Sequence, residues 1–218
     1  MESQLSLEER IQRLENAQKI KNMMGKEQYY NIVGQHHEAA EIFALCTPGV
    51  RTETANWGVY EGSEGIERSN KFHDIAGNDR EGFMHMHPLT TPVVEVDSDG
   101  KTGRAVWVSP GIETVKVEGT PQASWAWEKY GVDLAKEDGK WKFWHLHGMY
   151  GLFHAPYYTS WVDAEEPALL SLPSIIPPEL GPDRPCSHPV WLYSPTAVTE
   201  LFPVPPEPYE TWDEEKGY

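Results

Sequence analysis

The sequence predicts an α+β fold in which N-terminal helices pack on one face of a curved antiparallel sheet and a proline-rich arm follows. Three observations predict it. Apolar residues recur at helical spacing over the first 45 residues, long alternating runs fill residues 84–153, and 12 of the 18 prolines lie in residues 163–218. Helices followed by a meander of strands are typical of an α+β domain.

Helical signals come first along the chain. Ser6 and Glu9 form a capping box, which predicts where the first helix starts, and Gly25 offers a stop or a bend. We expect a second helix over residues 26–45, with Gly34 able to divide it in two.

Strand signals dominate from residue 50 onward. Alternation is weak over Val50–Trp57, and a short helix from near Ser63 past Phe72 separates this segment from the long strands. The long strands are expected at Met84–Val96, Thr102–Val117, Ser124–Ala135 and Trp141–Phe153. The DSDGK and EDGK segments between them are typical of tight turns. We therefore expect consecutive strands to pair antiparallel.

The charge of the chain argues against two classes of partner. The 218 residues carry 18 basic and 34 acidic side chains, so the formal net charge is −16. Nucleic acids and anionic membrane surfaces are bound by clustered Lys and Arg, and the sequence has no such cluster. The segment MESQLSLEERIQRLENAQK lacks the apolar core of a signal peptide. We expect a cytoplasmic protein without nucleic-acid or membrane partners.

The composition changes near residue 163. Residues 163–218 hold 11 acidic and 2 basic side chains besides most of the prolines. Proline favours extended segments over helices and central strands, so we divide the chain into a body, residues 1–162, and an arm, residues 163–218. Large apolar side chains such as Trp191 and Phe202 are unusual in a solvated tail. The arm is expected to pack on its own body or on a neighbouring subunit.

The histidines are clustered in pairs. His85 and His87 lie on one predicted strand and His145 and His147 on another, and the two-residue period of a strand places each pair on one face. One hypothesis is a metal site, because an HxH pair offers two ligands to zinc, iron or manganese and the second pair could complete a four-nitrogen shell. The nearest acid, Glu95, is too far along the chain for the cupin arrangement.

The second hypothesis, which we favour, is an acid–base site without metal or cofactor. No GxGxxG, P-loop, GxSxG or HExxH motif occurs. His85 is the expected general acid or base and His147 a second proton-transfer group, while Tyr29 or Tyr30 on the covering helix binds or polarises an oxygen. The residues expected to bind substrate are Trp57, His87, Trp107, Trp127, His145 and Tyr150, with Trp125 as a further aromatic wall residue.

Four segments of the body resemble one family. They are LEERIQRLENAQKIKNMMGKEQYYNIV, TPGVRTETANWGVYEGSEGIERS, MHMHPLTTPVVEVDSDGKTGRAVWV and WEKYGVDLAKEDGKWKFWHLHGMYGLF. On these segments, residues 7–154 resemble the SnoaL-like branch of the nuclear transport factor 2-like superfamily. Its members include bile-acid 7α-dehydratase, scytalone dehydratase and diarylpropane γ-formaldehyde lyase. The resemblance implies a cone-shaped α+β fold and cofactor-free acid–base chemistry on a hydrophobic, ring-bearing substrate.

The resemblance also implies roles for single residues. The histidine in the similar MHM string of the bile-acid dehydratase corresponds to His85. Its helix tyrosine corresponds to Tyr29, or to Tyr30 in a register shifted by one. Its aspartate and arginine fall at Gly34 and around Gly151, so neither charge is present in this chain. An uncharged site that binds phenols or alcohols is therefore expected.

These observations together predict a lyase that eliminates water, or a small carbonyl compound such as formaldehyde, from an aromatic or polycyclic alcohol. Three alternatives stay open: an isomerase or cyclase at the same site, a metal-dependent enzyme that uses the HxH pairs, and a non-catalytic binding or assembly module. We expect a homo-oligomer with the arm at the interface, because another subunit usually covers the open face of such a sheet.

Overall fold

The strands of this chain join into one strongly curled sheet with helices on its concave side. The structure is a computed structural model, and it describes residues 5–76, 81–117, 120–148, 150–151, 153–163 and 176–218. The helices are α1 (Leu7–Ile32), α2 (His36–Ala40) and α3 (Gly62–Ala76). The strands are β1 (Arg51–Thr54), β2 (Val59–Glu61), β3 (Met84–Met86), β4 (Thr90–Val96), β5 (Thr102–Val117), β6 (Thr120–Glu137), β7 (Lys140–Gly148) and β8 (Phe153–Pro156). The expected α+β cone is confirmed.

The order of strands in the sheet is β2-β1-β7-β6-β5-β3, with β4 also paired to β5 and β8 also paired to β6. The pairing is antiparallel, as expected, except that β1 runs parallel to β7. The sheet is therefore mixed rather than antiparallel throughout. After β2 the chain passes through α3 and strands β3 to β6 before it reaches β7. β7 then pairs in parallel with the edge of β1 that faces away from β2.

Helix α1 begins at the predicted capping box. The backbone N–H of Ser6 donates to Glu9 Oε2 at 2.7 Å, and the N–H of Glu9 donates to Ser6 Oγ at 3.2 Å. The prediction of a stop or bend at Gly25 is wrong, because α1 continues to Ile32. Buried Met24 and Gln28 pack on either side of Gly25, and this burial offsets the low helix propensity of one glycine.

The predicted helix over residues 26–45 is divided at Gly34. Gly34 has a φ of 65°, a left-handed conformation that glycine adopts without steric cost. The residues before it belong to α1, and those after it form only the short α2. Gly34 therefore sets the end of α1.

Two predicted strands are each divided in the structure. The first is interrupted between β3 and β4 by residues 87–89, where Pro88 has no N–H to donate to a ladder. The second ends as β7 at Gly148, and the chain returns as β8 along the other half of β6, with His154 paired to Ala126. This return places β8 beside the part of β6 that pairs with Pro110–Glu113, in the second half of β5.

The core lies between the helices and the concave face of the sheet. Alternate residues of β5 and β6 point into it, and Trp107 of β5 pairs directly with Tyr130 of β6. The buried core residues are Ile20, Met24, Phe43, Val50, Ile66, Val96, Ala105, Trp107, Tyr130, Val132, Leu134, Trp141 and Phe143. Residues next to these in sequence, such as Gly131 and Asp133, therefore lie on the opposite face of the sheet.

The described part of the arm, residues 176–218, follows the β2 edge and then crosses the face opposite the helices. Val59 N–H donates to Arg184 O at 2.9 Å at the edge, and Lys129 Nζ donates to Phe202 O at 2.8 Å on the face. Tyr218 N–H donates to Asp133 Oδ2 at 2.7 Å. The arm thus covers part of the sheet surface of its own chain. None of the described helices has the length and apolar character needed to cross a membrane.

Candidate active site

Two histidines meet one buried carboxylate on the concave face. His85 of β3 pairs in register with Glu113 of β5, and His85 Nε2 lies 2.9 Å from Glu113 Oε1. His87, two residues further along the chain, places Nε2 3.2 Å from the same oxygen. Both imidazoles of the first HxH pair therefore reach Glu113, as the two-residue alternation predicts.

A third histidine reaches the other oxygen of Glu113. His154 of β8 places Nε2 3.2 Å from Glu113 Oε2. Burial alone would raise the pKa of Glu113, but hydrogen bonds from His154, His85 and His87 outweigh it and hold the pKa well below its ordinary value. Glu113 is therefore a carboxylate that accepts from three rings.

A second buried carboxyl lies on the far side of His87. Glu128 Oε2 is 3.4 Å from His87 Nδ1 and accepts a hydrogen bond of 3.1 Å from the hydroxyl of Tyr130. Burial raises the pKa of Glu128 well above its ordinary value, and the charge of Glu113 raises it further. We call His85, His87, Glu113, Glu128, Tyr130 and His154 the Glu113 cluster.

Several polar atoms at the Glu113 cluster are buried without a partner. Within the described residues, Glu128 Oε1, His87 Nδ1 and Ser109 Oγ have no hydrogen bond. Ser109 pairs in register with Glu128, so its hydroxyl lies on the same face of the sheet. Unsatisfied buried polar atoms are uncommon in proteins and point to a bound water, ion or ligand.

Gly111 makes room for His87. A Cβ at Gly111 would lie closer than 3.0 Å to the His87 ring and to the carbonyl oxygen of Ala126. Glycine therefore allows the imidazole to lie flat on β5, between Ser109 and Glu113.

Helix α1 brings Glu27 and Gln28 to the site and turns Tyr29 away from it. Tyr29 is 76% exposed, because it lies about 100° around the helix from buried Gln28. Tyr30 is half-buried. Gln28 Nε2 donates to Glu27 Oε2 at 2.8 Å, and burial raises the pKa of Glu27 to about 7 despite the nearby charge of His85.

The second HxH pair lies on the other face of the sheet. A bulge at Trp144 shifts the register, so that His145 pairs with Asp133 and His147 with Gly131, both on the outer face. His145 Nδ1 is 2.8 Å from Asp133 Oδ2. The four imidazoles therefore do not meet, and the four-nitrogen shell considered from the sequence does not form.

The outer histidines instead hold the arm. His147 Nδ1 is 3.2 Å from Glu53 Oε1, and Ser187 of the arm donates to Glu53 through both its N–H and its hydroxyl. The ring of Tyr150 stacks on His147 with centroids 3.5 Å apart. We call the contacts of Glu53 with His147 and Ser187 the anchor of the arm. The structure places His147, His145 and Tyr150 on this outer face, away from His85.

The aromatic residues expected around the site divide between the two faces. Trp107 is buried in the core beside Tyr130, and Trp57 packs on Phe72 with ring centroids 5.3 Å apart. Trp127 stacks on Phe153 of β8 at 5.7 Å on the outer face. Trp57 and Trp107 therefore lie on the helix side, and Trp127 does not.

Sequence reasoning missed both carboxyls of the site. Glu113 and Glu128 each fall at a core-facing position of a long alternating strand, where a charged residue is unusual. A charged residue at a core-facing strand position was the signal in the sequence that could have indicated these two site residues. The role of His154 depends on β8 returning along β6, which no local pattern in the sequence predicts.

The curled sheet with helices on its concave side is the α+β cone fold of the nuclear transport factor 2-like class. The SnoaL-like domain family matches residues 13–147, and the chain belongs to this family. The resemblance seen in the sequence is thereby confirmed.

Solved structures with a similar fold include two proteins from Novosphingobium species. A scytalone dehydratase-like protein from Novosphingobium aromaticivorans aligns with a TM-score of 0.50 and 17% identity, over 71% of this chain and 93% of that one. The hexachlorocyclohexane dehydrochlorinase LinA-type3 from Novosphingobium barchaimii aligns with a TM-score of 0.53 and 20% identity, over 72% of this chain and 98% of that one. At this identity the similarity shows the fold. No curated protein matches the chain.

Proposed function

We propose that this protein is a lyase that eliminates water, or a small carbonyl compound such as formaldehyde, from a hydrophobic alcohol bearing an aromatic or polycyclic ring. The reaction proceeds by acid–base catalysis at the Glu113 cluster without a cofactor. The observation that carries the proposal is the convergence of His85, His87 and His154 on buried Glu113, with the Glu128 carboxyl on the far side of His87.

His85 is the proposed base. Its side chain is 13% exposed, whereas that of His87 is 1% exposed, so His85 is the more accessible of the two rings. A neutral imidazole that donates its Nε2–H to Glu113 keeps its lone pair on Nδ1. Glu113 thus fixes the tautomer and orientation of His85, and Nδ1 accepts the substrate proton.

Glu128 is the proposed acid. Its Oε1 is buried without a partner in the described chain, and the Tyr130 hydroxyl holds Oε2 in place. In a dehydration, the C–H electron pair forms the new double bond, the proton moves to His85, and the departing hydroxyl takes a proton from Glu128 to leave as water. Tyr130 therefore positions Glu128.

Two further observations support elimination from a ring-bearing substrate. Trp107 lies beside Tyr130 of the Glu113 cluster and supplies an aromatic ring next to it. Among proteins of the same fold, the two named above are called a dehydratase and a dehydrochlorinase, and both names describe eliminations.

The experiment is a substrate screen followed by substitution. Phenolic and polycyclic alcohols are incubated with the protein, and loss of water or formaldehyde is followed by mass spectrometry. On the best substrate, His85→Ala should lower kcat by about 10²–10⁴, the usual contribution of general acid–base catalysis. His37→Ala, a change of an exposed histidine on α2, is the control and should leave kcat unchanged. A kcat within about twofold of wild type for His85→Ala would remove His85 from the mechanism.

A further inference from the structure

We propose that His85 Nε2, His87 Nε2 and Glu113 Oε1 form a binding site for one divalent transition-metal ion, with zinc the first candidate, and that the bound ion inhibits the enzyme. These three ligand atoms all lie within 4.8 Å of one another. The inhibition rests on the proposed function, whereas the binding site stands on its own geometry.

The two nitrogen–oxygen distances at this site are close to the distance between neighbouring ligands of one metal ion. His85 Nε2 and His87 Nε2 lie 2.9 Å and 3.2 Å from Glu113 Oε1. For zinc bonds of about 2.0–2.1 Å, two ligands of a tetrahedron are about 3.3 Å apart. Both nitrogen–oxygen distances are within a few tenths of an ångström of this value, and the two nitrogens lie within 4.8 Å of each other.

The donor set and its supports also suit a transition metal. Two imidazoles and one carboxylate are typical ligands of zinc, iron and manganese. β3 and β5 hold His85 and Glu113 in direct register, and Gly111 provides the space in which the His87 ring lies. Ligands on paired strands are held more precisely than ligands on loops.

The second nitrogen of His87 provides an independent observation. Nδ1 is buried without a hydrogen bond in the described chain, although Glu128 Oε2 is only 3.4 Å away. When Nε2 binds an ion, the ring proton resides on Nδ1, which then donates to Glu128. A carboxyl oxygen that accepts from the second nitrogen of a ligating histidine is a common outer-shell arrangement of metal sites.

Metal binding would remove the proposed base. An ion on His85 Nε2 takes that lone pair and leaves the ring proton on Nδ1. Nδ1 is then unable to accept a proton from the substrate. The metal-free enzyme is therefore the active form, and the ion blocks it.

The test begins with protein purified without a histidine tag and treated with a chelator. Zn²⁺ binding is measured by titration calorimetry, and Co²⁺ is added as a spectroscopic probe. We expect one ion per chain and a visible Co²⁺ absorption band. His87→Gln and the isosteric Glu113→Gln should each weaken binding by at least about 100-fold, since loss of an outer-shell partner alone costs about 10–100-fold. His37→Gln, the matched change at an exposed histidine, should bind as wild type does.

The outcomes separate the site from the proposed function. Absence of binding, or equal binding by wild type and Glu113→Gln, overturns the site and leaves the elimination proposal intact. Binding together with inhibition upholds both claims. Binding together with activation upholds the site but overturns both the inhibition and the metal-free reaction. If neither variant folds, as judged by circular dichroism, the wild-type Co²⁺ spectrum decides: absence of a visible band overturns the site.

Discussion

His87 lies between two buried carboxyls whose pKa values are shifted in opposite directions. Its Nε2 lies 3.2 Å from Glu113 Oε1, and its Nδ1 lies 3.4 Å from Glu128 Oε2. Three imidazole contacts outweigh burial at Glu113 and lower its pKa, whereas burial and the neighbouring negative charge raise the pKa of Glu128. These shifts favour the ionised form of Glu113 and the protonated form of Glu128. Two titratable groups whose pKa values are driven apart within one site are a pattern of acid–base enzymes.

Removing the charge of Glu113 should impair catalysis more than binding. Glu113→Gln keeps the shape of the side chain but no longer fixes the tautomer of His85. We expect kcat to fall by about 10² or more, with a smaller change in KM. Glu95→Gln, on the neighbouring strand β4 and outside the Glu113 cluster, is the control. Equal kcat values for the two variants would contradict the role given to Glu113.

Gly111 and Gly25 should respond oppositely to alanine. A Cβ at Gly111 would lie closer than 3.0 Å to His87 and to the Ala126 backbone, whereas a Cβ at Gly25 has no described atom within 4 Å outside its adjacent residues and the α1 backbone. We expect Gly111→Ala to lower the free energy of unfolding by about 1–3 kcal/mol through overpacking. Gly25→Ala should raise it by about 0.5–1 kcal/mol through helix propensity.

Urea unfolding of both glycine variants provides the measurement. A Gly111→Ala protein as stable as wild type would show that His87 does not need this space. Because Gly25 lies inside α1, its variant also tests whether the helix is continuous there.

The anchor of the arm should weaken in acid. Burial would raise the pKa of Glu53, but contact with His147 and two hydrogen bonds from Ser187 outweigh it and lower the pKa from 4.5 to about 2. A lowered carboxyl pKa stabilises the fold above pH 4.5, and this contribution is lost as the pH falls toward 2. Its size is on the order of 3 kcal/mol, because each tenfold change in proton affinity corresponds to about 1.4 kcal/mol.

Glu53→Gln measures this contribution. The variant should be less stable than wild type at pH 7, and the difference in free energy of unfolding should shrink steadily between pH 4.5 and pH 2. Urea unfolding at several pH values gives the two curves, with Glu41→Gln as the exposed control. A difference that stays constant across this range would show that Glu53 is not the titrating group.

Local signals in the sequence predicted much of the fold. The capping box at Ser6 and Glu9 marks the true start of α1, and the bounds of β5 are those expected, Thr102–Val117. Gly34 divides the predicted helix as its conformational freedom allows. These features depend on neighbours in sequence, which is why the sequence reveals them.

The site depends on contacts that are distant in sequence. Period-two alternation correctly placed His85 and His87 on one face, but the register between β3 and β5 decides that Glu113 meets them. A single bulged residue, Trp144, turns His145 and His147 toward the arm. A bulge changes the face of every later residue, and neither bulges nor strand partners can be derived from alternation alone. The cytoplasmic location and the homo-oligomer stay predictions.

The most direct test of elimination at the Glu113 cluster is the product mass formed by chelator-treated wild-type protein, measured beside Glu113→Gln. We expect a ring-bearing alcohol to lose one water or one formaldehyde with the wild type, and we expect little product with the variant. A product with the same mass as its substrate would instead indicate an isomerase or cyclase. Full turnover by Glu113→Gln would place the chemistry elsewhere in the protein.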